Sequence, residues 1–208
     1  MITTRKELRD YIAIDMSQDK EIAGKKMFIE WLKGNLRAHR KYKFLKLLRY
    51  MEYCENNRNN YFSKIRYLWI KHRFQKYQLK TQIFIHPNVC GKGLKISHPC
   101  FMWIDNQAKI GQNCTILPHV LIGNNGDESK INKTKPTIFV GDNCYLGVGC
   151  KILGPVKIGN NVTIAANAVV IHDVPDNCVV AGVPAVIKKY KLIEIQNEKS
   201  TGNIDVYK

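Results

Sequence analysis

The sequence lacks the marks of several protein classes. Its seven cysteines form no C-x-x-C pair and no cluster with histidine, which argues against a disulfide framework and against structural zinc. No stretch approaches the roughly 20 apolar residues of a membrane-spanning helix, and the N-terminus has no apolar core of a standard secretion signal. We therefore expect a cytoplasmic protein, and the 45% hydrophobic and 24% charged residues among 208 are typical of globular chains.

Acidic residues are scarce as well. Seventeen Asp and Glu stand against thirty-three Lys and Arg, which gives a formal charge of +16. The excess is uneven, because residues 1–80 hold twenty basic and eight acidic side chains, whereas residues 81–208 hold thirteen and nine. Net charge reports on partners rather than on fold, so we expect two regions of different character.

From residue 104 onward, an aliphatic side chain returns at every sixth position. These positions are Ile104, Ile110, Ile116, Ile122, Val140, Leu146, Ile152, Ile158, Ile164 and Val170. An α-helix cannot use this period, because six residues rotate the apolar position by roughly 240°. Six is a multiple of two, however, so an extended chain returns each aliphatic residue to the same side. The pattern predicts a solenoid of short parallel strands.

The repeat has one interruption and a small fifth position. Eighteen residues separate Ile122 from Val140, which we interpret as one whole coil in register, although the segment 124–139 is mostly polar. We expect this segment to be a loop that leaves the coil and returns, and long loops on rigid scaffolds often carry function. Cysteines at the fifth position of their hexads should serve as compact apolar side chains; these are Cys114, Cys144 and Cys150.

The spacing resembles that of the hexapeptide-repeat proteins over about residues 83–187. The resemblance implies a mainly β fold, a left-handed parallel β-helix with three six-residue faces per coil. We expect a basic α-helical region (1–80), a β-helix acyltransferase domain (81–187) with a protruding loop (124–139), and a C-terminal tail (188–208).

Three segments, IFIHPN, GKGLKISHP and AGVPA, resemble serine acetyltransferase and the enzymes that O-acetylate capsule, lipopolysaccharide and exopolysaccharide sugars. The resemblance implies acetyl-CoA as cosubstrate and His98 as general base. Transfer of acetyl from a thioester to a hydroxyl needs the hydroxyl proton removed during attack, and neutral imidazole is suited to this near pH 7. Backbone N–H groups around Gly123 and Gly126 are candidates for stabilising the oxyanion.

The chain departs from serine acetyltransferase at positions that the resemblance makes important. Phe84 stands where that family has an acidic residue, and Ser97 replaces the Asp before the base. The loop lacks the His that helps to hold the amino acid, and Lys135 is the nearest counterpart. The partner that orients His98 therefore stays open. The candidate carboxylates are Asp105, Asp127 and Glu128, and His119 is a candidate for the acceptor side.

The resemblance also implies where coenzyme A binds. Its pantetheine arm is expected along flat coil edges and its phosphates near basic residues, in a groove between two subunits of a homotrimer. The corresponding positions are Gly147, Gly149, Ala165, Ala166, Lys188 and Lys189. The alternative is that the small residues are only corners of the coil. No metal is expected.

Residues 28–80 carry fourteen Lys and Arg and three Glu, interleaved with aromatic and aliphatic residues. The spacing of apolar residues predicts two or three amphipathic helices, with one edge at 45, 48 and 51, another at Ile65, Leu68 and Trp69, and a turn at 55–60 between them. Such helices suit peripheral contact with the inner face of an anionic membrane. They equally suit a cap on the open end of the β-helix. No nucleic-acid-binding motif is present.

Together these features predict an acetyl-CoA-dependent O-acetyltransferase in polysaccharide biosynthesis. Its acceptor is expected to be a sugar hydroxyl of a surface polysaccharide or its precursor, because the groups that recognise an amino acid are missing. The alternatives are a serine acetyltransferase, a small-molecule acetyltransferase, a metal enzyme built on three histidines, and a non-catalytic scaffold or membrane-surface binding module.

Overall fold

The computed structural model describes residues 1–19, 23, 27–124 and 136–191. Four helices come first: α1 (Arg5–Ser17), α2 (Met27–Leu32), α3 (Leu36–Asn56) and α4 (Tyr61–Thr81). The described residues then form the strands β1 (Ile83–Ile85), β2 (Lys95–Ile96), β3 (Met102–Ile104), β4 (Ala108–Ile110), β5 (Thr115–Ile116), β6 (Leu121–Asn124), β7 (Ile138–Val140), β8 (Tyr145–Leu146), β9 (Lys151–Gly154), β10 (Val156–Ile158), β11 (Thr163–Ile164), β12 (Val169–Val170), β13 (Cys178–Ala181) and β14 (Val186–Tyr190).

Three sheets enclose one core. The first contains β1, β3, β6, β9 and β12, the second β4, β7 and β10, and the third β2, β5, β8, β11, β13 and β14. Consecutive strands pass from the third sheet to the first and then to the second, so each coil adds one strand to each sheet. All pairings are parallel except that of β13 with β14. The predicted fold class, a parallel β-helix after an α-helical region, is confirmed.

The hexad residues stack in the core of the β-helix. On the first sheet Ile104 pairs with Ile122, and Ile122 pairs with Ile152. Every one of the ten aliphatic positions is at most 4% exposed. The ten residues form one column on each of the three sheets, and full burial of each such side chain contributes about 1.5–3 kcal/mol to the stability of the coils.

One register differs from the prediction. Val140 pairs with Ile110 and Ile158 on the second sheet and not with Ile122, which lies on the first. In the neighbouring coil six residues lead from the first sheet to the second, from Ile152 to Ile158, whereas eighteen separate Ile122 from Val140, so the prediction that one whole coil in register lies between them is wrong. The spacing could not reveal this, because six and eighteen residues keep the same phase. Most of the predicted loop 124–139 lies outside the described residues.

The helices α3 and α4 are separated by the predicted turn and pack on each other, with the rings of Phe44 and Phe74 5.9 Å apart. The predicted apolar edge of α3 is buried, as expected. The predicted edge of α4 is wrong, because its three residues (Ile65, Leu68 and Trp69) are 48–61% exposed. Apolar residues lie on both sides of α4, and the side that packs inward holds Ile70 and Phe74.

A buried ionic cluster joins the helices to the first coil. Arg49 on α3 is fully buried and donates to Asp15 at 2.7 Å and to Glu52 at 2.9 Å. The same guanidinium donates to the carbonyls of Cys90 and Gly91 at 2.9 and 2.7 Å. Burial raises the pKa of Glu52, and the neighbouring Arg49 charge opposes that rise. The cluster thereby fixes α1 and α3 against the turn that leads into β2.

The other end of the β-helix finishes in a strand. β14 runs antiparallel to β13, so the chain continues as a strand beyond the predicted boundary at residue 187. Inside the coils, the three predicted packing cysteines are buried, and burial raises the pKa of Cys150 to about 12, which keeps its thiol protonated. Among the helices that the structure describes, none is both long and apolar enough to cross a membrane.

Candidate functional site

His98 lies in an enlarged corner of the β-helix. Eight positions lead from Ile96 to Ile104, whereas the residues stacked on them in the next coil, Ile116 and Ile122, are only six apart. This corner therefore holds two more residues than the corner below it. The backbone of His98 has φ 51, in the left-handed region that residues other than Gly seldom adopt, and its side chain is exposed.

The same corner of the following coils is regular. Its left-handed residue is the third after the aliphatic position, and this residue is His119, Gly149 or Asn167 in successive coils. Each donates its backbone N–H to a carbonyl of the coil before it, at 2.7–2.9 Å. His98 is instead the second residue after Ile96. The enlarged corner thus takes His98 out of the stack that its counterparts share.

The imidazole of His98 faces the helical region. Nη1 of Arg37, in the first turn of α3, lies 3.5 Å from Nδ1 of His98. A guanidinium only donates, so Nδ1 is the acceptor and the hydrogen of a neutral ring is on Nε2. At 3.5 Å the contact is weak. Among the described residues, no carboxylate forms an ion pair with Arg37.

Of the three candidate carboxylate partners, only Asp105 lies within the described residues, and it does not bond to His98. The side chain of Asp105 accepts a hydrogen bond from the backbone N–H of Gln107 at 2.9 Å, which places it in a turn after β3. The other predicted site residues of the loop are outside the described residues; these are Gly126, Asp127, Glu128 and Lys135.

Aromatic side chains surround the second predicted histidine. The ring of Phe101 lies 6.3 Å from that of His119, and Nε2 of His119 lies 3.8 Å from Sγ of Cys100. Phe84, at the position where the resemblance places an acidic residue, packs against Trp103 with the ring centroids 5.3 Å apart. Phe101 and Trp103 are 37% and 40% exposed. The first sheet thus presents a partly exposed aromatic patch beside the enlarged corner.

The residues predicted to bind coenzyme A have different environments. Gly147 is buried, and a Cβ there would lie 2.6 Å from the carbonyl oxygen of Ile164 and 2.7 Å from the nitrogen of Ala166. Coil stacking alone therefore requires glycine at this position. Gly149 is also buried, with φ 71, whereas Ala165 is half-buried and Ala166 exposed. Gly123 has open space around it, and Lys188 and Lys189 are exposed on β14.

His86, His98 and His119, the histidines considered for the metal alternative, form no metal-binding group. Within the part of the chain that the structure describes, no three His, Cys, Asp or Glu side chains are grouped in a way that could hold a metal ion.

Two residues near the site escaped the sequence analysis. Arg37 belongs to a basic segment without a motif, and 61 positions separate it from His98, so only the fold brings them together. Cys100 carries no signal except its position two residues after His98.

Part of the chain matches a known family. Residues 137–172 fit the family model described as bacterial transferase hexapeptide (six repeats). A serine acetyltransferase of Synechococcus elongatus is 39% identical over 108 residues, which cover 51% of this chain and 43% of that protein. The chain thus spans about half the length of the curated relatives that it matches. The predicted resemblance to the hexapeptide-repeat transferases is confirmed.

Solved structures show the same fold. A serine acetyltransferase of Neisseria gonorrhoeae in complex with serine has a TM-score of 0.66 at 22% identity, covering 89% of this chain and 70% of that one. A serine acetyltransferase in complex with CoA has a TM-score of 0.64 at 20% identity, covering 88% and 70%. These relatives are serine acetyltransferases and not polysaccharide-modifying enzymes. The relatives carry the name of the alternative, serine acetyltransferase, rather than that of the sugar-modifying enzymes that the sequence analysis placed first.

Proposed function

We propose that this chain transfers an acetyl group from acetyl-CoA to a hydroxyl group and that His98 is the general base. The observation that carries the proposal is the enlarged corner, which exposes His98 within a fold shared with serine acetyltransferases. The relative bound to CoA supports acetyl-CoA as the donor.

The chemistry needs one proton acceptor. Nδ1 of His98 takes the hydroxyl proton while the acceptor oxygen attacks the thioester carbonyl. The tetrahedral intermediate then collapses, the C–S bond breaks, and the imidazolium returns the proton to the leaving CoA sulfur. Atoms and charge balance without an acyl-enzyme.

The position of Arg37 indicates a second feature of the acceptor, an anionic group. Its guanidinium occupies the Nδ1 lone pair that a base needs, and it has no carboxylate partner among the described residues. A carboxylate is a stronger partner for guanidinium than a neutral imidazole. An acceptor that carries an anionic group would draw Arg37 away from Nδ1 and free the base.

L-serine is the acceptor that this arrangement favours. Its hydroxyl and carboxylate are separated by only two carbon atoms, so one molecule can address His98 and Arg37, which are themselves in contact. The serine-bound relative supports the same choice. Arg37 would then help to hold the amino acid, the role of the loop histidine that this sequence lacks.

A sugar hydroxyl is the second candidate. The partly exposed aromatic patch of Phe84, Phe101 and Trp103 offers flat apolar surfaces of the kind that a sugar ring can cover. This acceptor would use the patch rather than Arg37.

We expect coenzyme A to bind in the groove between neighbouring β-helices of a homotrimer. The edge at half-buried Ala165 and exposed Ala166 permits close approach of the pantetheine arm, and Lys188 and Lys189 supply cations for the phosphates. Gly147 shapes this edge from inside the coil, since stacking already requires it.

The experiment measures CoA release by the purified chain with acetyl-CoA and either L-serine or neutral sugars. His98→Ala should lower turnover by about 10²–10⁴-fold, the usual contribution of a general base. His172→Ala is the matched control, because it removes another exposed imidazole of the β-helix. Equal loss in both variants, or none in His98→Ala, would refute the assignment of the base. Turnover with sugars but not with serine would select the second candidate.

A further inference from the structure

Helix α4 has a second apolar side that nothing in the described chain covers. Its inner side packs against α3 through Phe74. Its outer side displays Phe62, Ile65, Leu68 and Trp69, which are 82%, 48%, 61% and 57% exposed. Their spacing of three and four residues places them along one face of the helix. Large aromatic and aliphatic side chains at such exposure mark a binding surface.

The helix carries charge of one sign only. Residues 61–81 contain six Lys and Arg and no Asp or Glu. Arg73 lies over the ring of Trp69 at 4.6 Å, so a cation adjoins the apolar face directly. Four cations of α4 on or beside this face (Lys64, Arg73, Lys76 and Lys80) form no ion pair with any described residue. The surface therefore combines exposed apolar side chains with unneutralised positive charge.

Two adjoining grooves between α3 and α4 have the same character. One, of about 550 Å³, is lined by Lys43, Leu47, His72, Arg73, Lys76, Tyr77 and Lys80. The other, of about 430 Å³, shares Lys43, Leu47 and Arg73 with it and reaches Lys46 and Trp69. No carboxylate lines either groove. Grooves of this kind can accept phosphate groups beside the apolar face.

We propose that the outer face of α4, with the α3–α4 grooves, binds the surface of a bilayer that contains anionic lipids. The apolar side chains would enter the boundary between headgroups and acyl chains, while the cations meet lipid phosphates. The helix would lie in the plane of the membrane, in agreement with the finding that no described helix could cross it. This binding is independent of the acetyl-transfer chemistry.

Charge favours a membrane over a symmetric contact with a second copy of the chain as the occupant of this face. A symmetric contact through the outer face of α4 would bring the four cations on or beside it against the same four of the other copy, without acidic residues on either helix to offset them. Like charges opposed in this way disfavour the contact. An anionic bilayer instead supplies both the apolar boundary and the opposite charge.

The test is co-sedimentation of the full chain with vesicles. Wild type should bind vesicles of equal parts phosphatidylglycerol and phosphatidylcholine, should not bind pure phosphatidylcholine, and should lose binding at high salt. Arg73→Glu/Lys76→Glu should weaken partitioning at least about tenfold, as should Phe62→Ser/Trp69→Ser. Lys151→Glu/Lys157→Glu makes the same change of net charge on exposed β-helix residues and should bind like wild type.

Circular dichroism confirms that each variant is folded before it is compared. If Lys151→Glu/Lys157→Glu lost vesicle binding to the same extent, net charge alone would explain the effect and the proposal would be overturned. No binding of wild type to anionic vesicles would overturn it as well. Loss of self-association in Phe62→Ser/Trp69→Ser, measured by analytical ultracentrifugation and without vesicle binding by wild type, would assign the face to a second copy.

Discussion

Replacing Arg49 with methionine should destabilise the protein by about 3–5 kcal/mol. Methionine has a similar length but donates no hydrogen bond, so Glu52 and Asp15 lose their buried counter-charge and two carbonyls of the first coil lose a donor. Removing one partner of a buried ion pair typically costs this much, because the remaining charge stays desolvated. Asp15 keeps two backbone N–H donors, those of Gly93 and Leu94, whereas Glu52 keeps only that of Asn88, so the larger part of the loss falls on Glu52.

Urea unfolding followed by far-ultraviolet circular dichroism measures the loss. Lys64→Met, which removes an exposed cation of α4, should change stability by no more than about 0.5 kcal/mol. Adding Glu52→Gln to Arg49→Met should restore part of the loss, since it removes the unpaired charge. A loss below about 1 kcal/mol for Arg49→Met would refute the reasoning.

The same variant should depend on pH in a defined direction. The pKa of Glu52 is raised in the folded protein, so its contribution favours folding at low pH and is lost as the pH rises through that raised pKa. Without Arg49 the pKa should rise further, because the opposing charge is gone. The difference between Arg49→Met and wild type should therefore shrink as the pH is lowered from neutral toward the ordinary range of glutamate.

Two further predictions concern the site and the coil. Arg37→Ala should raise KM for L-serine by about 10–100-fold, the value of a charge-assisted hydrogen bond, whereas activity toward a neutral hydroxyl should not fall, because the variant also leaves Nδ1 of His98 free. Arg37→Lys should recover part of the loss with L-serine. Equal effects on both acceptors would contradict an anion-binding role. Gly147→Ala should cost about 1–3 kcal/mol in urea unfolding, because its Cβ would meet backbone of the next coil at 2.6 Å, whereas Gly123→Ala meets no atom within 4 Å and should be near neutral. Similar losses in both glycine variants would show that stacking is not the reason for Gly147.

The β-helix was predictable because its period is unambiguous. A residue such as Ile116 returns to the core after six residues only if the chain is extended, and the same condition applies at every hexad. The stack position of Val140 was not predictable, because separations of six and of eighteen residues from Ile122 keep the same phase of the repeat. The buried side of α4 was not predictable either, since apolar spacing fits both of its sides and only packing against Phe44 selects one.

Residues that act through tertiary contacts left no local signal. Arg49 belongs to a strongly basic segment, which normally indicates solvated charge, yet it is fully buried because carboxylates from α1 and α3 converge on it. In the sequence, nothing distinguishes Arg37 from the other cations of that segment. Its contact with His98 depends on where α3 begins, and that is set by packing far from the motif that identified His98.

The enlarged corner at His98 is a departure from the regular six-residue repeat of the β-helix. In the following coils, the left-handed corner position is the third residue after the aliphatic one, and its backbone N–H bonds to the coil before it. At His98 two extra residues interrupt that order and a non-glycine residue takes the left-handed conformation early. Departures of this kind reduce stability and persist where something other than stability requires them. The corner therefore singles out His98 on structural grounds that are independent of its sequence motif.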